Sequence, residues 1–507
     1  MGIYSLIPPL IVILLAIKTK SSLIPLVAGT FVGFLMLAFI HVDPVTGNTT
    51  FGTQTITVTA KQIAEAGSKE KALEAATEAA AVYKFPNNFI NGVYKILMLN
   101  EKGEGPNFNG TYYNSLLWVL IVCGLFGPFI QLMIASGGIS AIGDKLITKL
   151  KNRKQSLLAT YFLGFVFFVD DYLNALSVGA TMRNVTDKFG VPREKIGYII
   201  GAVCVPIAVL FPISTWTVYV GGLMKDGGGY SADAGEIDVF MATIPFSIYA
   251  WVAMLVALLY ILKVIPDFGA FKTAQKRVDD GGSNAAPNSE SLSIDIKEYV
   301  LPEKKSVWSF LVPMIVLVVA TVYFDKDVYK GIMCALTVLI AQYWLLKVMP
   351  FSAILEQFEE GFKTMTFVLV VLIVTYLLKE VGDQMGLTKY VVGGIKAFPV
   401  QLLPLMIFLA IGAIAIATGS SWGVYAVVTP IVFALAKETG MNPMLGMGSL
   451  ISAGVMGANI CFYSDSRILT ASSTESNMTA QAISQLPYVI ITTVITAIVF
   501  LILGFTM

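Results

Sequence analysis

Long apolar runs separated by short polar joints dominate this chain. Segments of bilayer-crossing length, about 20 residues each, fall at roughly 3–17, 22–40, 115–135, 196–224, 239–264, 307–324, 328–347, 366–382, 444–474 and 487–506. Each predicts a membrane-spanning helix. Two further stretches, 157–181 and 401–435, are apolar at both ends and polar in the middle. The first runs through 157–168, then Val169-Asp170-Asp171-Tyr172-Leu173-Asn174, then 175–181. That pattern suits two half-helices around a polar turn. The segment 3–17 lacks a basic leader before its apolar core, so it reads as a retained span.

Basic residues in the short joints orient the spans. Lys18 and Lys20 mark one cytoplasmic joint, and Lys145, Lys149, Lys151, Arg153 and Lys154 mark another two spans later. The N-terminus is then outside. Arg183, Lys188, Arg193 and Lys195 form a third basic joint. It lies inside only if 157–181 is a re-entrant hairpin, and the basic bias favours the hairpin. The segment 266–306, with Gly281-Gly282-Ser283-Asn284 at its centre, reads as a cytoplasmic polar linker. The insert 41–113 lies outside and holds an Ala-, Glu- and Lys-rich helical stretch over 60–83 that suits a solvated cap.

These features predict an all-α polytopic membrane protein of about ten spans plus two hairpins. The domains are a first transmembrane repeat, 1–265, the linker 266–306, and a second, inverted repeat, 307–507. In the first half the turn Asp170–Asn174 precedes Phe211-Pro212-Ile213-Ser214-Thr215-Trp216, a polar break inside a span. In the second, Ala417-Thr418-Gly419-Ser420-Ser421-Trp422 precedes Phe462-Tyr463-Ser464-Asp465-Ser466-Arg467. Paired interrupted segments in oppositely oriented halves point to a secondary transporter with a midplane site.

Composition narrows the classes. Of 507 residues 56% are hydrophobic and 13% charged, about half the charge of an ordinary soluble protein. The net charge of +1 gives no support for nucleic-acid binding. His41 is the sole histidine, and Cys123, Cys204, Cys334 and Cys461 sit singly in apolar runs. A zinc site or a Ser-His-Asp hydrolase is therefore without its residues. No Gly-Lys-Ser/Thr phosphate loop is present to drive a pump, and no cofactor is implied beyond sodium or protons as coupling ions.

The polar breaks carry the chemistry. A lipid-facing aspartate at the bilayer centre costs about 2.5–3.5 kcal/mol, so Asp170 and Asp171 face protein or water. Asp170, Asn174, Ser214, Thr215, Thr418, Ser420, Ser421, Ser464 and Asp465 are oxygen donors near the breaks, and hard cations want oxygen. Asp170 is the candidate sodium ligand. A buried carboxylate that takes either a proton or a cation supplies the minimal chemistry of antiport. One aspartate alternatively caps the second half-helix, a role that suits Asp171 better than Asp170. Arg467 either pairs with Asp465 or holds a substrate carboxylate. Trp216 and Trp422 follow equivalent breaks and either pack or line a pocket.

At these residues the chain resembles the NhaC-type sodium/proton antiporter family, which includes malate and lactate exchangers. The resemblance rests on Phe168-Val169-Asp170-Asp171-Tyr172-Leu173-Asn174-Ala175-Leu176-Ser177-Val178-Gly179, Met182-Arg183-Asn184-Val185-Thr186-Asp187-Lys188, Arg193-Glu194-Lys195, Pro212-Ile213-Ser214-Thr215-Trp216, Thr418-Gly419-Ser420-Ser421-Trp422-Gly423 and Gln485-Leu486-Pro487-Tyr488. It implies inverted repeats with re-entrant hairpins in the plasma or inner membrane, and cation-coupled exchange. The chain departs from the family pattern in places. Gly201-Ala202-Val203-Cys204-Val205-Pro206 stands where Asp-Ser-Thr-Ala-Ala-Pro is usual, Ala458-Asn459 replaces Asp-His, and Arg467 is gained. Fewer acids and a new cation favour a substrate with its own carboxylate, so Asn459 and Arg467 join the candidate site.

The leading expectation is sodium/proton antiport or related cation-coupled exchange. The alternative is proton- or sodium-coupled transport of an organic or amino acid. The expected partners are a small ion or small carboxylate and the lipid bilayer, with a second copy of the chain left open. An intramembrane aspartyl protease lacks its glycine-flanked aspartate, and a passive channel lacks a pore-lining ring.

Overall fold

The computed structural model describes residues 2–19, 23–42, 49–51, 115–226, 235–287, 289, 305–386, 390, 398–418, 421–462 and 464–507. Most of the insert, including the helical stretch expected over 60–83, lies outside the described residues. The architecture is all-α. The strand pair Ile40–Val42 and Thr49–Phe51 has three residues a side.

In chain order the helices are α1 Ile7–Thr19, α2 Leu23–Phe39, α3 Ser115–Ala135, α4 Gly138–Lys149, α5 Arg153–Val166, α6 Asp171–Asp187 and α7 Arg193–Leu210. Then come α8 Thr215–Asp226, α9 Glu236–Met241, α10 Ile248–Ile261, α11 Gly269–Asp279, α12 Trp308–Tyr323 and α13 Val328–Leu345. The last are α14 Phe351–Met385, α15 Leu403–Thr418, α16 Trp422–Thr439, α17 Pro443–Ile460, α18 Asp465–Ser473 and α19 Met478–Thr506. A helix or a broken helix occupies each of the ten apolar segments.

Three described helices, α13, α17 and α19, are long and apolar enough to cross a bilayer alone. Two bent pairs qualify jointly: Arg193–Leu210 with Thr215–Lys225, bent by 47°, and Glu236–Phe246 with Ile248–Ile261, bent by 56°. Polar caps start several helices inside otherwise apolar sequence. Asn152 accepts from the Gln155 N–H, Asn442 from Met444 and Leu445, and Asn477 from Ala480. Each cap satisfies amide donors that have no partner within the helix.

The chain packs as two compact units, residues 1–117 with 370–397, and 118–369 with 398–507. In the first, the Thr30 hydroxyl donates to the Val374 carbonyl at 3.4 Å. The second holds both pairs of polar breaks. There α3 and α14 touch backbone to backbone, since a Cβ on Gly127 would lie 2.2 Å from the Gly361 carbonyl oxygen.

Segment 157–181 is a hairpin. Arg153, at the start of α5, donates through Nε to the Phe189 carbonyl just beyond α6, at 3.1 Å. Both ends of the hairpin therefore lie on one face. The same face carries a dense set of ion pairs. Arg193 bridges Asp187 and Glu475, at 2.9 and 3.3 Å, and Arg183 also pairs with Glu475. Lys195 meets Asp267 at 2.8 Å, and Arg277 meets Glu194 at 3.0 Å. The first part of the 266–306 segment is thus folded, with α11 docked on this face. Hydrogen bonding to Arg153 holds the exposed Asp279 carboxyl below its ordinary range.

Arg193 opens α7, while Glu475 lies two residues beyond the end of α18. The broken helix α7–α8 therefore starts where the broken helix α17–α18 ends, and the two run in opposite directions. Contacts cross between them: α6 packs on α18, and α8 on α16. The α6–α18 contact is close, because a Cβ on Gly179 would lie 1.9 Å from Ser473 Oγ.

Candidate functional site

Each half places its two helix breaks at matching intervals. From the first residue of α6, Asp171, to that of α8, Thr215, is 44 residues; from Trp422 to Asp465 is 43. The breaks in the two long helices are built alike. The Ser214 hydroxyl donates to the Ala208 carbonyl at 2.6 Å, and the Ser464 hydroxyl to the Ala458 carbonyl at 2.7 Å. Ser214 and Ser464 are 250 residues apart, as are Ala208 and Ala458. In each case the serine satisfies a carbonyl that the interrupted helix leaves open.

Around the first break lies an acidic cluster. Asp170 is 3% exposed and extended, at φ −153° and ψ 137°. Its Oδ1 accepts from the Leu173 N–H at 2.9 Å, capping α6. The capping role therefore falls on Asp170, not on Asp171 as the sequence suggested, because the helix already opens at Asp171. Its Oδ2 accepts from the Thr215 hydroxyl at 2.9 Å, and the Thr215 N–H donates to the Val169 carbonyl at 3.0 Å. The hairpin turn and the break in α7–α8 thus interlock. Asp171 Oδ1 accepts from the Trp216 indole N–H at 2.9 Å. Asn174 donates to the Gly164 and Phe167 carbonyls at 2.7 and 3.3 Å. That leaves its buried Oδ1 without a partner among the described residues.

Trp216 links this cluster to the start of α16. Its ring stacks on Trp422 with centroids 4.6 Å apart and an interplanar angle of 23°. Tyr425 meets the same indole edge-on at 5.7 Å, and the Tyr219 hydroxyl donates to the Trp422 carbonyl. Both tryptophans are buried and pack on each other. Ser421 donates to the Gly454 carbonyl at 2.9 Å, tying the start of α16 to α17. Thr418 closes α15, and Ser420 lies outside the described residues.

The second break carries a cation. Arg467 is 3% exposed. Its Nη1 donates to Gln485 Oε1 and its Nη2 to the Asn459 carbonyl, both at 2.6 Å. Gln485 donates to the same carbonyl at 2.6 Å. Arg467 Nε has no partner among the described residues, and no described carboxylate lies within ion-pair distance of the guanidinium. Asp465 opens α18, and its side chain lies outside the described set. It stands two residues from Arg467, a spacing that does not share a helix face.

The candidates thus separate into two groups along α7. Val203 of α7 packs on Gly164 of the hairpin, while Gly201 faces Asn459 and Arg467. Asp170, Asp171, Asn174, Ser214 and Thr215 gather at the first break; Asn459, Ser464 and Arg467 gather at the second. Gln485 and the hydrogen-bonding role of Trp216 were not singled out from sequence as site features. The signal for Gln485 was an amide within the first turns of an apolar helix, where polar groups are costly. Among the described residues no three His, Cys, Asp or Glu side chains group as a metal site.

The fold has known counterparts. The MtrF efflux pump of Neisseria gonorrhoeae matches with a TM-score of 0.54 and 15% identity, over 94% of each chain. The YdaH transporter of Alcanivorax borkumensis matches with a TM-score of 0.56 and 11% identity, over 95% of this chain and 98% of that one. An uncharacterized protein of Haemophilus influenzae is 24% identical across the whole of this chain and 91% of its own length. The model of the Na+/H+ antiporter family matches residues 207–505, more than half of the chain. With its apolar helices, its fold and this match taken together, the chain is a multi-pass membrane protein and a secondary transporter, and it belongs to the Na+/H+ antiporter family.

Proposed function

We propose that the chain couples transport to exchange of a proton for a monovalent cation at the acidic cluster, with sodium the first candidate. The observation that carries this is the surroundings of Asp170. Its carboxylate is buried, no described lysine or arginine pairs with it, and the orphaned Asn174 Oδ1 stands on the next turn of α6. Its carboxylate accepts from the Leu173 and Tyr172 N–H groups and the Thr215 hydroxyl, which leaves one of its roughly four acceptor positions for a cation or proton. Asp171, held by Trp216, adds a second acid beside it. A proton and a cation compete for the same oxygens, so release of one favours uptake of the other. The interlocked breaks let a movement of the hairpin reach α7–α8 directly.

A second reading, coupled transport of a carboxylate-bearing metabolite, draws support from the buried Arg467, whose guanidinium meets no carboxylate among the described residues. In both readings the plasma or inner membrane is the site of action and the acidic cluster supplies the coupling.

The test uses the purified full chain in proteoliposomes with a pH-sensitive dye inside. A sodium gradient should drive proton movement, and Asp170→Asn should abolish it while the protein still inserts. Equal proton flux in Asp170→Asn, or none in the unaltered protein under sodium, lithium or potassium gradients, would refute the coupling role.

A further inference from the structure

Helix α17 stops at Ile460, and the carbonyls of its last turn have no helical amides to meet. The Gly457 carbonyl accepts from the Cys461 N–H at 2.9 Å and the Ala458 carbonyl from the Ser464 hydroxyl at 2.7 Å. The Asn459 carbonyl takes two donors, Arg467 Nη2 and the Gln485 amide, both at 2.6 Å. Gln485 Oε1 in turn accepts from Arg467 Nη1 at 2.6 Å. Arg467, Gln485 and the Asn459 carbonyl thus close a ring in which Gln485 orients the guanidinium. On the α7 side stands Gly201, which offers no side-chain acceptor. The charge rests on neutral oxygens at the negative end of a helix, the setting in which a half-helix holds a cation. The first break has the same frame with a neutral group in that place. Thr217 precedes Arg467 by the interval that separates Ser214 from Ser464, and its hydroxyl donates to the Phe211 carbonyl at 2.9 Å.

We infer that Arg467 is a tethered cation that permanently fills the ion position of the second break. Two breaks of one design offer two ion positions. With the second occupied from within, the chain exchanges a single mobile cation, at the acidic cluster. The inference rests on the cation reading of the first break and goes beyond it by setting the number of coupling ions. Burying a charge in the membrane is costly. Here the cost is offset by charge-assisted bonds from both terminal nitrogens and by the helix end they meet. A free ion at the Asn459 carbonyl is dehydrated and released in every cycle, whereas a tethered one is never released and draws no energy from a gradient. The guanidinium then has its task within the protein, and no substrate carboxylate is needed to balance it.

The test removes the tether and offers free cations in its place. Tm of purified full-length Arg467→Ala is followed against millimolar guanidinium, sodium and lithium chlorides. The controls are choline chloride at matched ionic strength and urea, which has the shape of guanidinium without its charge. The substitution should lower Tm. Guanidinium should restore about half of the loss or more, saturably and beyond any rise in the unaltered protein. Sodium or lithium should restore a smaller part, and urea and choline none. The rescue should survive when Asp170→Asn is combined with Arg467→Ala, because the acidic cluster is not its source. Arg467→Lys, which keeps the charge, should lose less Tm than Arg467→Gln, which keeps only a donor. In proteoliposomes the sodium dependence of flux in the unaltered protein should be hyperbolic. The inference is overturned if urea rescues as well as guanidinium, if no cation rescues more than choline, if the rescue vanishes with Asp170→Asn, or if the unaltered protein responds sigmoidally to sodium. It is also overturned if acetate or L-lactate raises the Tm of the unaltered protein over chloride and Arg467→Ala abolishes that rise, since the arginine then serves a substrate. Should Arg467→Ala fail to fold, Arg467→Gln takes its place in the titration, and should neither be recovered the sodium curve decides. Rescue without proton–cation exchange refutes only the coupling reading, and exchange without rescue refutes only the tethered cation.

Discussion

In the first half the broken helix meets a carboxylate; in the second it carries a guanidinium. The scaffolds correspond residue for residue at Ser214 and Ser464, each closing a carbonyl six positions back. Their surroundings diverge within three residues. Thr215 donates to Asp170, whereas Arg467 turns to Gln485 and the Asn459 carbonyl. The scaffold is therefore indifferent to the sign of the charge it exposes. An interrupted helix presents both free N–H groups and free carbonyls, so either sign finds ready partners there.

The largest expected effect separates the two charges. Asp170→Asn should lower proton-coupled flux by about 100-fold or more, in line with removal of a group that carries the transferred ion. In the same background guanidinium should still rescue Arg467→Ala. Loss of both together would show one continuous site rather than two. A smaller effect is expected from Trp216→Phe, which keeps a ring against Trp422 but removes the donor to Asp171. Flux should fall by about ten-fold, the worth of a hydrogen bond to a charged group, with a raised KM for the cation. An unchanged KM would leave Trp216 a packing residue only.

The scaffold itself predicts a smaller pair. Ser214→Ala and Ser464→Ala should each cost about 1 kcal/mol of stability, read as Tm in detergent, with the larger loss at Ser214, whose hydroxyl also accepts from the Thr217 N–H at 3.1 Å. Equal losses would show that this extra bond contributes nothing. The smallest effect lies outside the membrane, at Asp279. Its carboxyl is held below the ordinary range by Arg153. Its contribution is therefore present above the unfolded-state pKa and is lost as pH falls through the lower folded-state value. Tm of Asp279→Asn should differ slightly from that of the unaltered protein near neutrality and converge with it in acid. The pair is solvent-exposed, so the difference should shrink in high salt.

Much of the fold was legible because membranes impose coarse rules. Apolar length located the ten segments, and polar windows located the breaks. The basic residues Arg183, Lys188, Arg193 and Lys195 argued that 157–181 turns back, and the bond from Arg153 to the Phe189 carbonyl places both its ends on one face. The details of the site were less legible, for local reasons. Whether Asp170 or Asp171 caps α6 depends on where the helix opens, a matter of one residue. Ser214 and Ser464 looked like ligands from their type alone, yet each donates to its own helix, a bond that exists only once the break has formed. Gly201 showed in the sequence only as a missing acid. That it faces Arg467 follows from the packing of α7 beside α17 and α18, which residue type alone does not reveal.

The contacts that cross between the two broken helices have a further consequence. With α6 laid against α18 and α8 against α16, each broken helix takes part of its cover from a helix far away in the sequence. A polypeptide bearing a single half would leave those flanks bare. It could become whole only by meeting the missing part, so cutting the chain between α11 and α12 should leave two fragments that work only when they are made together.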